Sequence, residues 1–401
     1  MRVAMVIYAY YESNQRIEQY VNALVQRGDT VDIISLNRGG LPALETMRGA
    51  KIHRMQTRRV HRESFLTYAS QITTFMIRSF LFLAKKQFVD PYDVIHVHSV
   101  PDFLVFSALV PKLRGVPLIL DIHDILPEFY STKFRARKGS LIFKLLVLAE
   151  KLSIRFSNHV IIANPIWHER LLQRSASPEK VTTIWNYPDP KIFFPRPKKR
   201  TDEKFVMLYP GSLNWHQGLD IAIRAFAKVT EEVPNAEFWI YGEGPERDNL
   251  AQLARHLGVD GKVVFGGYLP IREVAELIAD SDLAVVPKRA NSVFGTEAAS
   301  TKIMEFMSVG IPVIVSRTKI DSLYHGDSTV RFFDSDDPDN LAREILCLYR
   351  NPALRRQLVA NAFEYVAENR WETKKVEYLA IVDRLAERGR RNSQQDRTKA
   401  N

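Results

Sequence analysis

Cysteine is nearly missing from this chain: Cys347 stands alone among 401 residues. A single thiol closes no intrachain disulfide and builds no cysteine-based zinc cluster, which fits a reducing, cytosolic location. Long apolar runs are missing as well. The longest candidate, residues 72–84, is broken by Arg78 and is too short to cross a bilayer. The opening MRVAMVI reads as a first core strand, without the longer apolar region and cleavage site of a signal peptide, so no leader is expected. Acidic residues are the third shortage, 46 against 56 Lys and Arg, which leaves a net charge of +10 and a pI near 9.5. Such an excess asks for an anionic partner: substrate phosphate, a membrane surface or nucleic acid. His96 and His98 lie two apart in a strand pattern, and one packed imidazole plus one at the strand end accounts for them without a metal.

What is present is alternation. Apolar strand-like runs (RVAMVI, VDIISL, DVIHVH, PLILDI, HVIIA, then FVMLYP, EFWIYG, KVVFGG, LAVVP, PVIVS) alternate with helical patterns, the mark of parallel sheets with crossover helices. Between the two sets lies NYPDPKIFFPRPKKRTDE, rich in proline and charge, which reads as a linker. The expected organisation is a first domain over 1–187, a linker over 188–204, a second domain over 205–375, and a helix with a basic tail over 376–401 that packs back on the first domain. The tail after Glu387 is expected to be disordered. Residues 51–90 hold Lys51, Arg54, Arg58, Arg59, Arg62, Arg78, Lys85 and Lys86 against Glu63 and Asp90, interleaved with Phe65, Phe75, Phe80 and Leu81. That mixture suits the surface of an anionic membrane, and equally an ordinary helix with a solvated basic face.

The densest cluster of chemistry is EAASTKIME, which sets Glu297 and Glu305 eight positions apart. Ser300 is a plausible N-cap, Ile303, Met304, Phe306 and Met307 are apolar helix positions, Gly310 is a stop, and PVIVS is a buried strand. Glu305 would then sit at the mouth of a helix-strand unit, where a carboxylate can accept two hydrogen bonds from a ribose diol. Glu297, near the helix entry, can orient sugar hydroxyls, and the helix start at Ser300, Thr301 and Lys302 attracts phosphate.

Several other landmarks occur in order with this segment: DVIHVH, DIHD, NYPD, GSLNWHQGLDIAIRAF, YGEGPE and VVFGGYL. Together they resemble the retaining glycosyltransferases of family 4 over nearly the whole chain. The resemblance implies a GT-B architecture, two Rossmann-like doubly wound α/β domains facing across a cleft. It also implies a nucleotide-sugar donor, a glycan or lipid-linked acceptor, and no bound cofactor or metal at the diphosphate. His123, in Asp121-Ile-His-Asp124, corresponds to a histidine that reaches the donor sugar, with its other nitrogen fixed by Asp121 or Asp124; His123 and Glu297 are the catalytic candidates. The loop from Gly211 to Gly218 exposes backbone N–H groups to phosphate, while Gly242 borders the nucleotide pocket and Tyr268 follows a turn near the base.

Two departures stand out. Where relatives carry an arginine and a lysine in the first phosphate loop, this chain has Ser212 and Gln217. His216, Lys288, Arg289 and Lys302 are the candidate replacements, Lys302 foremost because it adds a charge to a positive helix end. The second is Tyr8-Ala-Tyr-Tyr where a Gly-Gly loop is common. YGEGPE lacks the third glycine of a dinucleotide fingerprint, and Asp334-Ser-Asp336 reads as the approach to a helix beginning Asp336-Asp-Pro338 and not as a metal motif. The expected reaction is transfer of a hexosyl or N-acetylhexosaminyl group with retention, in surface polysaccharide or lipid-linked oligosaccharide synthesis, in the cytoplasm or on the inner face of the membrane. A nucleotide-sugar epimerase on the same layout would instead form product without acceptor. A nonenzymatic nucleic-acid-binding protein would show salt-sensitive RNA binding, but no RNA- or DNA-binding motif is present.

Overall fold

The structure, a computed structural model, describes residues 1–57, 65–133, 139–291 and 293–400. It divides into two compact units, residues 1–186 with 372–401, and residues 187–371. The first is built on β1 (Arg2–Ile7), β2 (Thr30–Asn37), β3 (Leu44–Met47), β4 (Ala50–Thr57), β5 (Val94–His98), β6 (Leu118–Ile122), β7 (His159–Ile162) and β8 (Val181–Thr183), in the order β3-β4-β2-β1-β5-β6-β7-β8. All pairs are parallel except β3 with β4. β5, β6 and β7 are buried along their whole length, as expected of strands covered on both faces, and the His and Asp side chains they carry are buried with them.

The second unit holds β9 (Phe205–Pro210), β10 (Ala236–Tyr241), β11 (Val263–Gly266), β12 (Leu283–Val286), β13 (Val313–Ser316) and β14 (Arg331–Phe333), all parallel, ordered β11-β10-β9-β12-β13-β14. Strand order reverses between β9 and β12, so the loops leaving those two strands diverge and open a crevice at their carboxyl ends. The loop after β9 is Gly211–Gly218, and the one after β12 starts at Pro287-Lys288-Arg289.

Three expectations change. The segment 188–204 is no solvated linker: Ile192 and Phe193 are buried in the core of the second unit, and Lys198, Lys199 and Arg200 pair with Asp282, Glu276 and Asp282. Its prolines and charges strap it to that unit because its two central apolar side chains find a core to enter. The C-terminal segment packs back on the first unit as expected, but it is a helix, Trp371–Ala400, that continues past Glu387 where a disordered tail was expected; Gly389 approaches Pro117 and Arg390 pairs with Asp93, both in the first unit. The helix expected at Asp336-Asp-Pro338 is there, over Pro338–Arg350, capped by Asp337, whose carboxylate accepts from the N–H groups of Asp339 and Asn340 at 2.9 Å, while Asp336 takes a left-handed conformation at φ 65°. Within 51–90, Arg54 is buried between Glu12 and Glu45, so it faces no membrane. Arg58, Arg59 and Arg62 lie outside the described residues.

Candidate functional site

In the second unit Tyr209, fully buried, donates its hydroxyl to the Ser212 carbonyl at 3.0 Å, and Pro210 ends β9. Gly211 follows, with its N–H donating to Tyr241 O at 2.7 Å. A Cβ at Gly211 would stand 2.2 Å from Lys302 Cε, and one at Gly242 would stand 2.0 Å from Gly211 O. Both positions therefore need the absence of a side chain: the first admits the Lys302 stem, the second lets the loops after β9 and β10 cross. Lys302 Nζ rests 5.3 Å from the centre of the Tyr209 ring, a cation–π contact.

Lys302 is the second residue of the Thr301–Val309 helix, which Gly310 ends in a left-handed conformation. Ser300 takes the N-cap backbone position, but its Oγ makes no capping bond and is buried without a partner among the described residues. Burial pulls the Lys302 amine below the usual lysine range; Glu305, one turn on, restores part of this and Lys288 adds to the fall. Glu305 is buried, and burial pushes its carboxyl up, with Lys302 and a hydrogen bond from Thr301 working against the rise. Glu297 is buried at the end of the Val293–Glu297 helix.

The other candidate cations are already engaged. Lys288 Nζ lies 2.7 Å from Asp321 Oδ2 and donates to Ala298 O at 2.7 Å, with both charged groups almost fully buried. Arg289 pairs with Asp220 and Asp336 at 2.6 Å each and lies over the Trp215 ring. Arg289 joins the loops after β9 and β12 twice, its guanidinium Nε donating to Trp215 O at 3.3 Å and its backbone N–H to His216 O at 3.0 Å. His216 Nε2 meets Gln217 Nε2 at 3.1 Å, and burial with Lys302 and Lys288 nearby holds the imidazole below its ordinary pKa. Thus Gly211, Ser212, His216, Gln217, Gly242, Lys288, Ser300, Thr301, Lys302 and Glu305 gather around the ends of β9 and β12, whereas Tyr268 stands on the exposed turn after β11, 68% exposed.

The first unit builds a second cluster around Asp121, the penultimate residue of β6. Arg16, on the Gln15–Gln26 helix, donates Nε and Nη2 to the two Asp121 oxygens at 2.8 and 2.7 Å. Its Nη1 donates to Ile184 O, Trp185 O and Asn186 Oδ1. His98 Nδ1 and His123 Nε2 both lie 3.1 Å from Asp121 Oδ2. Burial alone would raise the Asp121 pKa, but Arg16 and His123 outweigh it and hold the carboxyl well below the usual range. Burial takes His98 down to about 4, so it is neutral at pH 7. Of the two aspartates flanking His123 in sequence, it is Asp121 that fixes the ring, and the His123 N–H adds a bond to Ser99 Oγ at 3.1 Å.

His96, His98 and Asp121 are the one trio among the described residues whose ligand atoms crowd within 4.8 Å. Their chemistry does not suit a cation, because a guanidinium already spans both carboxylate oxygens. Both imidazoles are fully buried, so neither is a strand-end group facing solvent, and His96 Nδ1 meets the Tyr378 hydroxyl of the C-terminal helix at 3.2 Å. Arg16 left no local signal in the sequence, since its partner lies 105 positions away.

Residues 13–186 match the model of the glycosyl transferase 4-like domain, and residues 191–365 that of the glycosyl transferases group 1. An uncharacterised glycosyltransferase of Methanocaldococcus jannaschii is 29% identical over 362 residues, 86% of this chain and 87% of its own length. Sucrose-phosphate synthase from Thermosynechococcus elongatus superposes with a TM-score of 0.78 at 19% identity, covering 96% of this chain and 99% of that one. HepE of Anabaena, solved with UDP and glucose, gives 0.71 at 16% identity over 96% and 99%. With two parallel-sheet α/β units of this order, the chain is a glycosyltransferase of the GT-B fold and belongs to the group 1, family 4 type.

Proposed function

We propose that the chain transfers a sugar from a nucleoside diphosphate to an acceptor hydroxyl with retention of configuration, and that Lys302 carries the charge of the diphosphate site. The carrying observation is that Lys302 has no ion-pair partner within hydrogen-bond reach among the described residues, while Lys288 and Arg289 are both paired. A leaving diphosphate accumulates negative charge in the transition state, and a fixed ammonium beside helix N–H groups opposes it with no divalent ion required. Glu305 is assigned the ribose hydroxyls, Glu297 the donor sugar hydroxyls, and the Ser212 backbone N–H a phosphate oxygen, the Gly211 N–H being held by Tyr241 O. His123, in the first unit, is assigned the donor sugar; with Nε2 engaged by Asp121, Nδ1 remains for a hydroxyl. The departing phosphate itself would take the acceptor proton. The solved HepE complex with UDP and glucose supports a uridine donor as the first to try. A glycan or lipid-borne acceptor, as in surface polysaccharide synthesis, completes the reading.

Calorimetric titration tests it, after a screen of nucleotide sugars for the base. Lys302→Ala should weaken nucleoside diphosphate by roughly 10- to 100-fold, the loss of one charge-assisted contact, and leave the nucleoside nearly unchanged. An equal loss for both ligands would remove Lys302 from the diphosphate.

A further inference from the structure

The Leu141–Phe156 helix of the first unit turns an apolar stripe outward. Leu141, Ile142, Leu145, Leu148 and Leu152 are 73, 60, 55, 49 and 49% exposed. At helical spacing, positions 141, 145, 148 and 152 fall within a sector of about 60°. The opposite face is the anchored one: Glu150, Ser153 and Ile154 are buried, and Arg174 and Ser175 hold the Glu150 carboxylate. Both ends are well made, since Ser140 Oγ accepts from Phe143 N at 3.3 Å and the Ser157 N–H donates to Ser153 O at 3.1 Å.

Charge decides what such a face meets. Lys144, Lys151 and Arg155 are exposed along one flank of the stripe, and the helix's single acid, Glu150, is buried and paired. The outward surface therefore carries three positive charges and no negative one. Scattered exposed leucines need no explanation, but four in line do. We infer that this face docks on a bilayer containing anionic phospholipid, with the leucines at the acyl boundary and the three cations at the phosphates. Docking on a second copy fits less well, because a two-fold contact would set these cations against their own like charges. The long Lys and Arg stems can lie along the apolar stripe with their heads at the phosphates. The surface extends the lipid-borne acceptor of the proposed function, yet it stands apart from the donor chemistry and can fail or hold independently.

The test is cosedimentation of the full chain with vesicles of equal phosphatidylcholine and phosphatidylglycerol, set against phosphatidylcholine alone. The anionic vesicles should carry the protein down. Lys144→Gln with Lys151→Gln should lower the partition roughly 30-fold and flatten its salt dependence. Leu145→Gln with Leu148→Gln should lower it by about 10-fold or more. Unchanged melting and nucleotide affinity would show that these surface variants are folded. The inference is overturned by a wild-type chain that stays in the supernatant, by variants that bind like wild type, or by a loss confined to Leu81→Gln on the Phe65–Val89 helix. A dimer seen by light scattering and abolished by the leucine pair would also overturn it. Absence of nucleotide binding, by contrast, would strike only the donor reading.

Discussion

Asp121 and His123 sit two residues apart and differ in what they owe to the fold. The Asp121 carboxylate is fully buried and answers the Arg16 guanidinium through two bonds, whereas the His123 ring is partly exposed and receives its orientation from the same carboxylate. Removing one member of a buried pair leaves the other charge uncompensated, which costs far more than losing a surface contact. Asp121→Asn should therefore destabilise the first unit by about 3 kcal/mol or more in urea unfolding. His123→Ala should cost under about 1 kcal/mol, as surface substitutions do, while activity falls. A mild Asp121→Asn would mean that the carbonyls of Ile184 and Trp185 suffice to hold Arg16. Lys288 shows the same distinction: in sequence it stood beside Lys302 as a candidate cation, and its buried partner Asp321, 33 positions on, takes it out of contention.

At the scale of elements, the strands most legible in the sequence were those buried on both faces, because an unbroken apolar run such as LAVV of β12 leaves little alternative. The edge elements escaped notice. LETM and AKIHRMQT, β3 and β4, alternate polar with apolar residues, and β8 and β14 are three residues each. The glycine-bearing loops were legible as strand-to-helix turns, but not the reason for the glycines, which is the close approach of a distant side chain and a neighbouring loop. That reason makes a prediction. A methyl at Gly211 meets Lys302 Cε, the movable end of a side chain, so the lysine should give way before the fold does. Gly211→Ala should then reproduce the selective loss of nucleoside diphosphate affinity expected of Lys302→Ala. At Gly242 the methyl meets the backbone of Gly211, and Gly242→Ala should lower the melting temperature more than Gly211→Ala. If Gly211→Ala binds nucleoside diphosphate as the wild type does, the Lys302 amine is not working from that position.

Over the whole molecule, the two-unit division was readable from the alternation of strands and helices, and so was the return of the C-terminal helix to the first unit, but not which of its residues are buried there, because nothing in a basic, charged helix announces its core partners. Tyr378 of the Trp371–Ala400 helix packs on Tyr20 with ring centres 4.2 Å apart and reaches His96 with its hydroxyl. Ile381, Val382 and Leu385 are also 4% exposed or less. Burying an aliphatic or aromatic side chain of this size stabilises by roughly 1.5–3 kcal/mol, so four of them approach the roughly 5–15 kcal/mol that holds a domain. Deleting the C-terminal helix would also uncover His96, whose imidazole lies in a wholly buried cluster with His98 and Asp121. A chain ending at Trp371 should consequently lose the cooperative unfolding transition of the first unit. The second unit, residues 187–371, has its own sheet and core and should keep its transition and its nucleoside diphosphate affinity. Two transitions surviving in the truncated chain would show that the first unit closes its core without the C-terminal helix.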